Sequence, residues 1–313
     1  MTASPTITVS PKKASVVAPN TVHSARILCP DVGELEVIAE VSEDDAMYKH
    51  ASLIHPENAL DVYLLSGADA LRAVVLAMAA ARKDAPTSIL DFGAGHGRVL
   101  RMFQAAFPQA ELTACELDRG AVDFCTRTFG AHGIYSTADA TQLDFDRQFD
   151  LIWCGSVFTH YDAEDWEQLL DVLVSRALAS GGLLVFTTGG RLTETLSGVA
   201  LGLKDEQAFE RLIAAYRSEG FGFTPYSGEH GFKAGLSMAK PSWILDRLAE
   251  RPELTHVSIV EGGWWAQDVT SCVLQASGHE AAKAAKPKDR KANGPKAKKP
   301  RSKIKLPKPR RAR

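Results

Sequence analysis

Short apolar runs alternate with stretches of helical spacing between about residues 60 and 278. Five such runs predict strands, and they fall at 87–92, 111–116, around 134–135, 149–155 and 181–188. Helical spacing predicts helices before the first run and after the first, second and fourth. Strands that alternate with helices in this order predict a parallel sheet with right-handed crossovers.

The helix before the first strand is predicted over about 67–83. Ser66-Gly-Ala-Asp69 has the form of a capping box, which places the start of the helix here. Apolar residues then follow at i, i+3, i+4 and i+7, and these are Leu71, Val74, Val75 and Met78. Beyond Gly190 the pattern predicts a helix over 205–217, an aromatic loop at 220–226 and a helix from Pro241.

The most informative stretch, 88–100, begins as an apolar run that contains Asp91 and then turns to helical spacing. Between the two come glycines on alternate positions, Gly93, Gly95 and Gly97. Glycine lets the backbone turn sharply and lets a ligand approach the peptide groups, and the free N–H groups of a helix start favour an electron-rich ligand. A dinucleotide fingerprint has the spacing G-x-G-x-x-G, which differs from this one. The stretch therefore predicts a site for another small molecule.

This motif resembles the first motif of the class I S-adenosylmethionine-dependent methyltransferases, D/E-x-G-x-G-x-G, and the resemblance covers about residues 60–278. It implies an α/β fold with a doubly wound, mostly parallel seven-stranded sheet and a C-terminal antiparallel hairpin, here at 255–261 and 268–275. It implies S-adenosylmethionine as the cofactor and a small-molecule type of enzyme. The residues expected at this cofactor are Asp91, Gly93, Ala94, Gly95, Gly97, Glu116, Leu117, Asp139, Ala140 and Ser156.

Two acids in this set carry specific expectations. Glu116 ends the second strand 23 positions after Gly93, where a doubly wound fold needs a carboxylate to accept hydrogen bonds from ribose hydroxyls. A surface carboxylate is the alternative. The resemblance places an acceptor for the adenine amino group at Asp139, although Asp144 and Asp146 lie close in sequence.

The segment Ser156-Val-Phe-Thr-His160-Tyr161 resembles the part of a methyltransferase subgroup that passes between methyl donor and acceptor. His160 has a suitable usual pKa to act as the base for an acceptor hydroxyl, and a histidine bonded to the backbone at a helix entry is an equal alternative. A neutral amine would need no strong base. The residues expected in the acceptor pocket are Tyr161, Tyr226, His230 and Trp264, each of which also suits a core.

Charge divides the chain more sharply than its formal net charge of −2 suggests. Residues 279–313 contain ten Lys and five Arg against one Glu and one Asp, with almost no large apolar group, so we expect a disordered basic tail. The expected division is an N-terminal arm with a small cap (1–59), a methyltransferase domain (60–278) and this tail (279–313). Five cysteines without metal spacing, and no export signal or membrane span, favour a cytoplasmic protein without a metal.

Three functions of different classes remain open. The first is an enzyme that methylates an oxygen or nitrogen of a small-molecule or glycan-type acceptor. The second is a nucleic-acid-associated methyltransferase or binding protein recruited by the tail, whose contact with polyanions would be weak and salt-sensitive. The third is a scaffold that keeps the fold without activity, and the intact Asp91, glycines and Glu116 argue against it. Neither the acceptor nor the oligomeric state follows from the sequence.

Overall fold

The computed structural model describes residues 13–17, 34–196, 198, 201, 203, 205–226 and 234–276. The strands in these residues are β1 (Lys13–Val17), β2 (Glu34–Ile38), β3 (Ser88–Phe92), β4 (Glu111–Glu116), β5 (His132–Tyr135), β6 (Phe149–Cys154), β7 (Leu178–Gly189), β8 (Phe221–Pro225), β9 (Gly235–Ala239), β10 (Leu254–Trp264) and β11 (Gln267–Leu274). The helices are α1 (Ala46–Ile54), α2 (Ala59–Ala81), α3 (Leu100–Ala106), α4 (Arg119–Phe129), α5 (Ala163–Val172), α6 (Glu206–Glu219) and α7 (Pro241–Ala249).

Within the described residues, seven strands form the main sheet in the order β10-β11-β7-β6-β3-β4-β5. The strands β3 to β7 are parallel, and β11 pairs antiparallel with both β7 and β10. The predicted α/β sheet and its C-terminal antiparallel hairpin are confirmed. The chain leaves β3 toward β4 and β5, then crosses to β6 and β7 on the other side, so the strand order reverses between β3 and β6.

Alternate residues of the central strands enter two different hydrophobic cores. Ile89 of β3 packs into the core under α2 and α3, whereas its neighbour Leu90 packs into the core under α5 and α7. Leu151 and Ile152 of β6 divide in the same way. This division follows from the two-residue period of a strand, and it explains why a sheet covered on both faces has continuous apolar runs.

The capping-box prediction at Ser66 is wrong, because α2 begins at Ala59 and Ser66 lies in its interior. The Ser-Gly pair has a packing role instead. The carbonyl of Ser66 accepts the indole N–H of Trp264 at 3.0 Å, and its hydroxyl accepts that of Trp265 at the same distance. A Cβ on Gly67 would lie 2.3 Å from the carbonyl oxygen of Arg98, so only glycine lets α2 pass this close to the glycine turn.

The predicted aromatic loop at 220–226 is also wrong over most of its length. Residues 221–225 form β8, which pairs with β9 as a separate two-stranded antiparallel ribbon. The glycines at 220 and 222 and the proline at 225 are typical of loops, but the ribbon tolerates them. Gly222 is required there, because a Cβ would lie 2.4 Å from the carbonyl oxygen of Leu212 in α6.

The N-terminal segment contributes to the main core. Leu35 and Val37 of β2 are buried beside α2, and β2 pairs antiparallel with β1. The buried Arg101 fixes this segment, since its Nη1 donates to the carbonyls of Ile38 (2.8 Å) and Glu40 (2.9 Å). The predicted tail at 279–313 lies outside the described residues, and the division of the chain into three parts stays a prediction.

Two further features bear on the sequence-based expectations. The described part of the chain contains one helix, α2, that is long and apolar enough to cross a membrane, but 61% of its apolar window is buried inside the molecule. It therefore has the environment of a core helix. Four of the five cysteines are described, and all four are buried free thiols, namely Cys115, Cys125, Cys154 and Cys272.

Candidate functional site

A cavity with a volume of about 580 Å³ lies where the strand order reverses. Its walls are the glycine turn after β3, the ends of β4 and β6, the start of α1, and the β8–β9 ribbon. Ligands of open α/β sheets bind in the crevice outside the carboxyl ends of the strands at such a reversal. The cavity is therefore the candidate site.

The glycine turn forms the floor of this cavity. The N–H of Gly93 donates to the carbonyl of Cys115 at 2.8 Å, and its φ of +78° lies in the left-handed region. A Cβ at this position would lie 2.4 Å from Cγ2 of Val157, so both the backbone conformation and the lack of space exclude a side chain. At Gly95, with φ of +51°, no heavy atom lies within 4 Å of the Cβ position. The backbone there is open to a ligand.

Glu116 stands at the end of β4 with its carboxylate fixed by backbone amides. Its Oε2 accepts the N–H of Gly95 at 2.9 Å, and its Oε1 accepts the N–H of Leu117 at 2.7 Å. Oε1 also accepts the N–H of Asp118 at 3.3 Å, and an ionised carboxylate has about four acceptor positions, so at least one position, on Oε2, remains for a donor on a ligand. Glu116 thus joins the glycine turn to the end of β4 and presents acceptor oxygens at the cavity.

Asp91 is buried in the cavity wall, with 2% of its surface exposed, and its Oδ2 has no hydrogen-bond partner in the described residues. Burial raises the pKa of this carboxyl to about 7, the negative charge of Glu116 adds to the rise, and the guanidinium of Arg98 opposes it. A buried acid with an unpartnered oxygen would be stabilised in its ionised form by a cationic ligand.

Arg98 supplies positive charge on the same wall. Its guanidinium carbon lies 5.4 Å from the ring centroid of Trp264, a cation–π geometry. Burial lowers the pKa of Arg98, while Tyr63, Asp45 and Asp91 oppose that decrease. Among the described residues no group accepts a hydrogen bond from this guanidinium, so its N–H groups are available to a ligand.

His160 also lines the cavity, in the segment after β6. Its Nδ1 is 3.1 Å from the carbonyl oxygen of Gly235 and 3.0 Å from Oη of Tyr226. A carbonyl only accepts, so the contact with Gly235 requires the proton on Nδ1 and leaves the lone pair on Nε2. Burial lowers the pKa of His160, and the hydrogen bond to Gly235 opposes this. The ring is therefore neutral near pH 7, in the tautomer that can accept a proton at Nε2.

Comparison with known proteins identifies the domain that contains this cavity. Residues 89–182 match the family described as a methyltransferase domain. This chain carries a class I S-adenosylmethionine-dependent methyltransferase domain. The matched segment contains β3 to β6 and the beginning of β7, and hence the glycine turn, Glu116 and His160.

Two curated relatives are malonyl-[acyl-carrier protein] O-methyltransferases. That of Methylococcus capsulatus is 35% identical over 115 residues, which are 34% of this chain and 39% of the relative. That of Acetivibrio thermocellus is 26% identical over 106 residues, or 34% of this chain and 36% of the relative. The chain thus matches about two fifths of the length of these relatives. A solved S-adenosylmethionine-dependent methyltransferase from Clostridium acetobutylicum is 13% identical, with 73% of this chain and 100% of that one covered, at a TM-score of 0.49.

Most residues predicted at the site of the methyltransferase domain do line the cavity. On the cofactor side these are Asp91, Gly93, Ala94, Gly95, Glu116, Leu117 and Ser156, and on the acceptor side His160, Tyr161, Tyr226 and Trp264. Burial raises the pKa of Tyr161 to about 12, so this phenol stays protonated. His230 lies outside the described residues.

Three predicted cofactor residues lie elsewhere. Gly97 is packed under α4, where a Cβ would lie 2.4 Å from Cε2 of Phe129. Asp139 caps a 3₁₀ turn, and its carboxylate accepts from the backbone and hydroxyl of Thr141 and from Gln142. Ala140 begins that turn and its side chain enters the core under α5. None of the three lines the cavity, although Ser136, three residues before Asp139, does.

Sequence reasoning missed several other lining residues. Asp44 to Met47 belong to the wall, and Asp45 caps α1 by accepting the N–H groups of Met47 and Tyr48. An Asp before a helical run is a recognisable capping signal that would have located this helix start. Arg98 directly follows the glycine motif, but nothing in its sequence context indicates that its charge reaches the cavity.

Proposed function

We propose that this chain transfers the methyl group of S-adenosylmethionine to an oxygen or nitrogen of a small acceptor, with His160 as the proton acceptor. The proposal rests on the observation that one cavity is lined both by groups that suit the methyl donor and by a histidine that can accept a proton. Glu116, Asp91 and the open backbone at Gly95 suit the donor, and a neutral histidine with the lone pair on Nε2 lines the same cavity.

The residues on the donor side fit the charges of S-adenosylmethionine. Glu116 offers acceptor oxygens for the two ribose hydroxyls, and the unpartnered Oδ2 of Asp91 suits the ammonium group of the methionine part. The guanidinium of Arg98 lines the same cavity, and its positive charge favours the carboxylate of the methionine part. When bound, the donor supplies a methyl group on a positively charged sulfur, which is already activated for displacement.

The residues on the acceptor side then have two tasks. They hold the nucleophile in line with the methyl group, and alignment alone can supply a large part of the rate. A hydroxyl or ammonium acceptor must also lose a proton, and Nε2 of His160 can receive it while Nδ1 keeps its bond to Gly235. The aromatic surfaces of Tyr161, Tyr226 and Trp264 provide apolar contact for a small acceptor.

The curated relatives support oxygen as the methylated atom. Their names state O-methylation of a malonyl group on acyl-carrier protein, and the match is confined to about a third of this chain. The matched length of about 110 residues cannot include both the domain's glycine turn and the β8–β9 ribbon that holds His160, since 138 residues separate Gly97 from Gly235. A match that includes the glycine turn therefore does not reach the ribbon beside His160.

The proposal is tested by incubating the purified full chain with S-adenosylmethionine and a fractionated small-molecule extract. Mass spectrometry measures S-adenosylhomocysteine and any product heavier by one methylene. We expect both to form in the same fraction, and to fall together in the Glu116→Ala variant. Release of S-adenosylhomocysteine with no methylated product in any fraction, or no release at all, would contradict the proposal.

A further inference from the structure

Ser156, which follows β6, belongs to a closed ring of three hydrogen bonds. Its backbone N–H donates to Oγ1 of Thr187 at 2.7 Å. Oγ1 of Thr187 donates to Oε1 of Gln267 at 2.5 Å, and Nε2 of Gln267 donates to Oγ of Ser156 at 2.7 Å. The ring joins the loop after β6 to the end of β7 and the first residue of β11.

The chemistry of the groups fixes the direction of this ring. A backbone N–H can only donate, so Oγ1 of Thr187 accepts from Ser156 and still has its own proton to give. Thr187 is fully buried, so that proton needs an acceptor, and the carbonyl oxygen of Gln267 provides it. The opposite orientation of the amide would leave the threonine proton without a partner. The amide nitrogen of Gln267 therefore points to Ser156.

This orientation decides what the serine hydroxyl can do. One lone pair of its oxygen is taken by Nε2 of Gln267, so its own proton is free to be donated elsewhere. Ser156 lines the cavity and has a φ of +61°, which a residue other than glycine rarely adopts. Its carbonyl also accepts from Oγ1 of Thr159 at 2.7 Å, so the backbone is held on both sides. The result is a fixed hydroxyl donor in the cavity wall.

We propose that Gln267 is a positioning residue, which directs the hydroxyl proton of Ser156 to the carboxylate of the methionine part of the donor. The inference rests on the proposed function. Strand β6 is two strands away from β4, a distance of about 10 Å. A donor whose ribose lies at Glu116 crosses β3 and brings its amino-acid end to the end of β6. A carboxylate there accepts a hydrogen bond from Ser156, and the C-terminal hairpin thereby controls donor binding.

The test compares two ligands by calorimetry on the full chain. S-adenosylhomocysteine has the amino-acid part, and 5′-methylthioadenosine lacks it. In Gln267→Glu the new carboxylate keeps the bond from Thr187 but takes the hydroxyl proton of Ser156 away from the cavity. We expect this variant to bind S-adenosylhomocysteine about tenfold more weakly, and Ser156→Ala to do the same, because each loses a hydrogen bond to a charged group. Binding of methylthioadenosine should change by less than about twofold in both.

Two controls separate this effect from added charge and from misfolding. Gln109→Glu adds the same charge in an exposed turn far from the cavity and should bind both ligands as the wild type does. In a Ser156→Ala background, Gln267→Glu should cost less than about threefold, because the serine through which it acts is gone. Thermal unfolding checks that each variant folds, and Ser156→Ala alone carries the test if Gln267→Glu does not.

Each other result overturns the proposal. Equal losses for both ligands would place the effect away from the carboxylate, and equal losses in both backgrounds would show that Gln267 acts without Ser156. A wild type that binds S-adenosylhomocysteine while Gln267→Glu and Ser156→Ala bind it equally well refutes this inference alone. A wild type that binds neither ligand refutes the proposed function together with it.

Discussion

The cavity has a donor end at the glycine turn and Glu116 and an acceptor end around His160, and these two ends are built in different ways. The donor end comes from consecutive strand–turn units, so that the bond from Gly95 to Glu116 spans only 21 positions. The acceptor end depends on contacts across 66 positions, between His160 and Tyr226, and across 75 positions, between His160 and Gly235. The contact between the glycine turn and Glu116 is therefore fixed by local sequence, whereas the surroundings of His160 exist only after the β8–β9 ribbon has packed against the domain.

This contrast predicts that variants at the two ends fail differently. Loss of a donor-end group should weaken binding of the donor and leave the acceptor chemistry intact. Loss of an acceptor-end group should reduce turnover and leave donor binding intact. Measurements of donor affinity and of turnover on the same variants test this separation.

The largest effect is expected at His160. In His160→Ala we expect kcat to fall by about 10²–10⁴-fold, because the acceptor loses its general base. The measurement is steady-state release of S-adenosylhomocysteine with the acceptor identified by the extract assay. With saturating donor and acceptor, kcat of the wild type should stay constant down to pH values below 6.5, the ordinary pKa of histidine, because burial lowers the pKa of His160.

The matched control for His160→Ala is its affinity for S-adenosylhomocysteine, which should equal that of the wild type. A variant that turns over normally would show that His160 is a structural residue at the helix entry. A variant that loses affinity and turnover together would show that the two ends of the cavity are not separate.

The next largest effect is expected at Glu116. Glu116→Ala should weaken donor binding by about 1.5–3 kcal/mol, because two ribose hydroxyls lose a charged acceptor. Calorimetry with S-adenosylhomocysteine measures the loss, and circular dichroism checks the fold. Glu116→Gln keeps an acceptor oxygen without the charge, so its affinity should lie between those of Glu116→Ala and the wild type. Equal affinity of all three proteins would make Glu116 a surface carboxylate.

A smaller, pH-dependent effect is expected at Asp91. The pKa of its carboxyl is raised to about 7, and a cationic ligand binds the ionised form, so protonation opposes donor binding as the pH falls through 7. We expect the affinity for S-adenosylmethionine to decrease by up to about tenfold per pH unit between pH 7 and 5. Calorimetry across this range measures the slope, and Asp91→Asn should remove it.

The same substitution should increase the stability of the chain without ligand. Because the pKa of Asp91 in the folded chain lies above its ordinary value of 3.8, its ionisation costs stability as the pH rises from about 4 to 7. At pH 8 without ligand, Asp91→Asn should raise the free energy of unfolding by about 2–4 kcal/mol in urea titrations. A loss of stability would mean that Asp91 is already well paired before the donor binds.

The smallest effect on either end is expected from the basic tail. Deletion of residues 279–313 removes ten Lys and five Arg, and should abolish salt-sensitive retention on heparin because counterion release no longer occurs. Donor affinity should not change. A truncated chain that loses donor affinity, or that still binds nucleic acid with a steep salt dependence, would show that the tail and the rest of the chain do not act independently.

Local signals were sufficient for the donor end. Strand β4 has the predicted bounds 111–116, and helix α4 follows it as predicted, since Asp118 caps the helix and Gly130 ends it with φ of +68°. Glu116 was found by its distance from the glycine turn, and that distance is set by a single strand–helix–strand unit. In such a unit the sequence separation determines the spatial position.

Long-range packing explains the failures. Gln267 lies beside Ser156 only because β11 inserts between β7 and β10, and 111 positions separate the two residues. Ser66 and Gly67 have the form of a helix start, yet they receive the tryptophans of the hairpin and the backbone of Arg98. None of these contacts is encoded in the spacing of nearby residues.

The separate β8–β9 ribbon has a consequence for how this chain can diversify. The ribbon pairs within itself and lies outside the hydrogen-bond ladder of the main sheet, yet its ends supply Gly235 and the adjoining Tyr226 to His160. Strands β3 and β4, which carry Asp91 and Glu116, do not pair with this ribbon, so its residues beside His160 can change during evolution without altering the pairing of those two strands. Exchange of this ribbon between relatives is a route by which a new acceptor can be recruited to an unchanged donor pocket, and it is the segment to randomise in directed evolution.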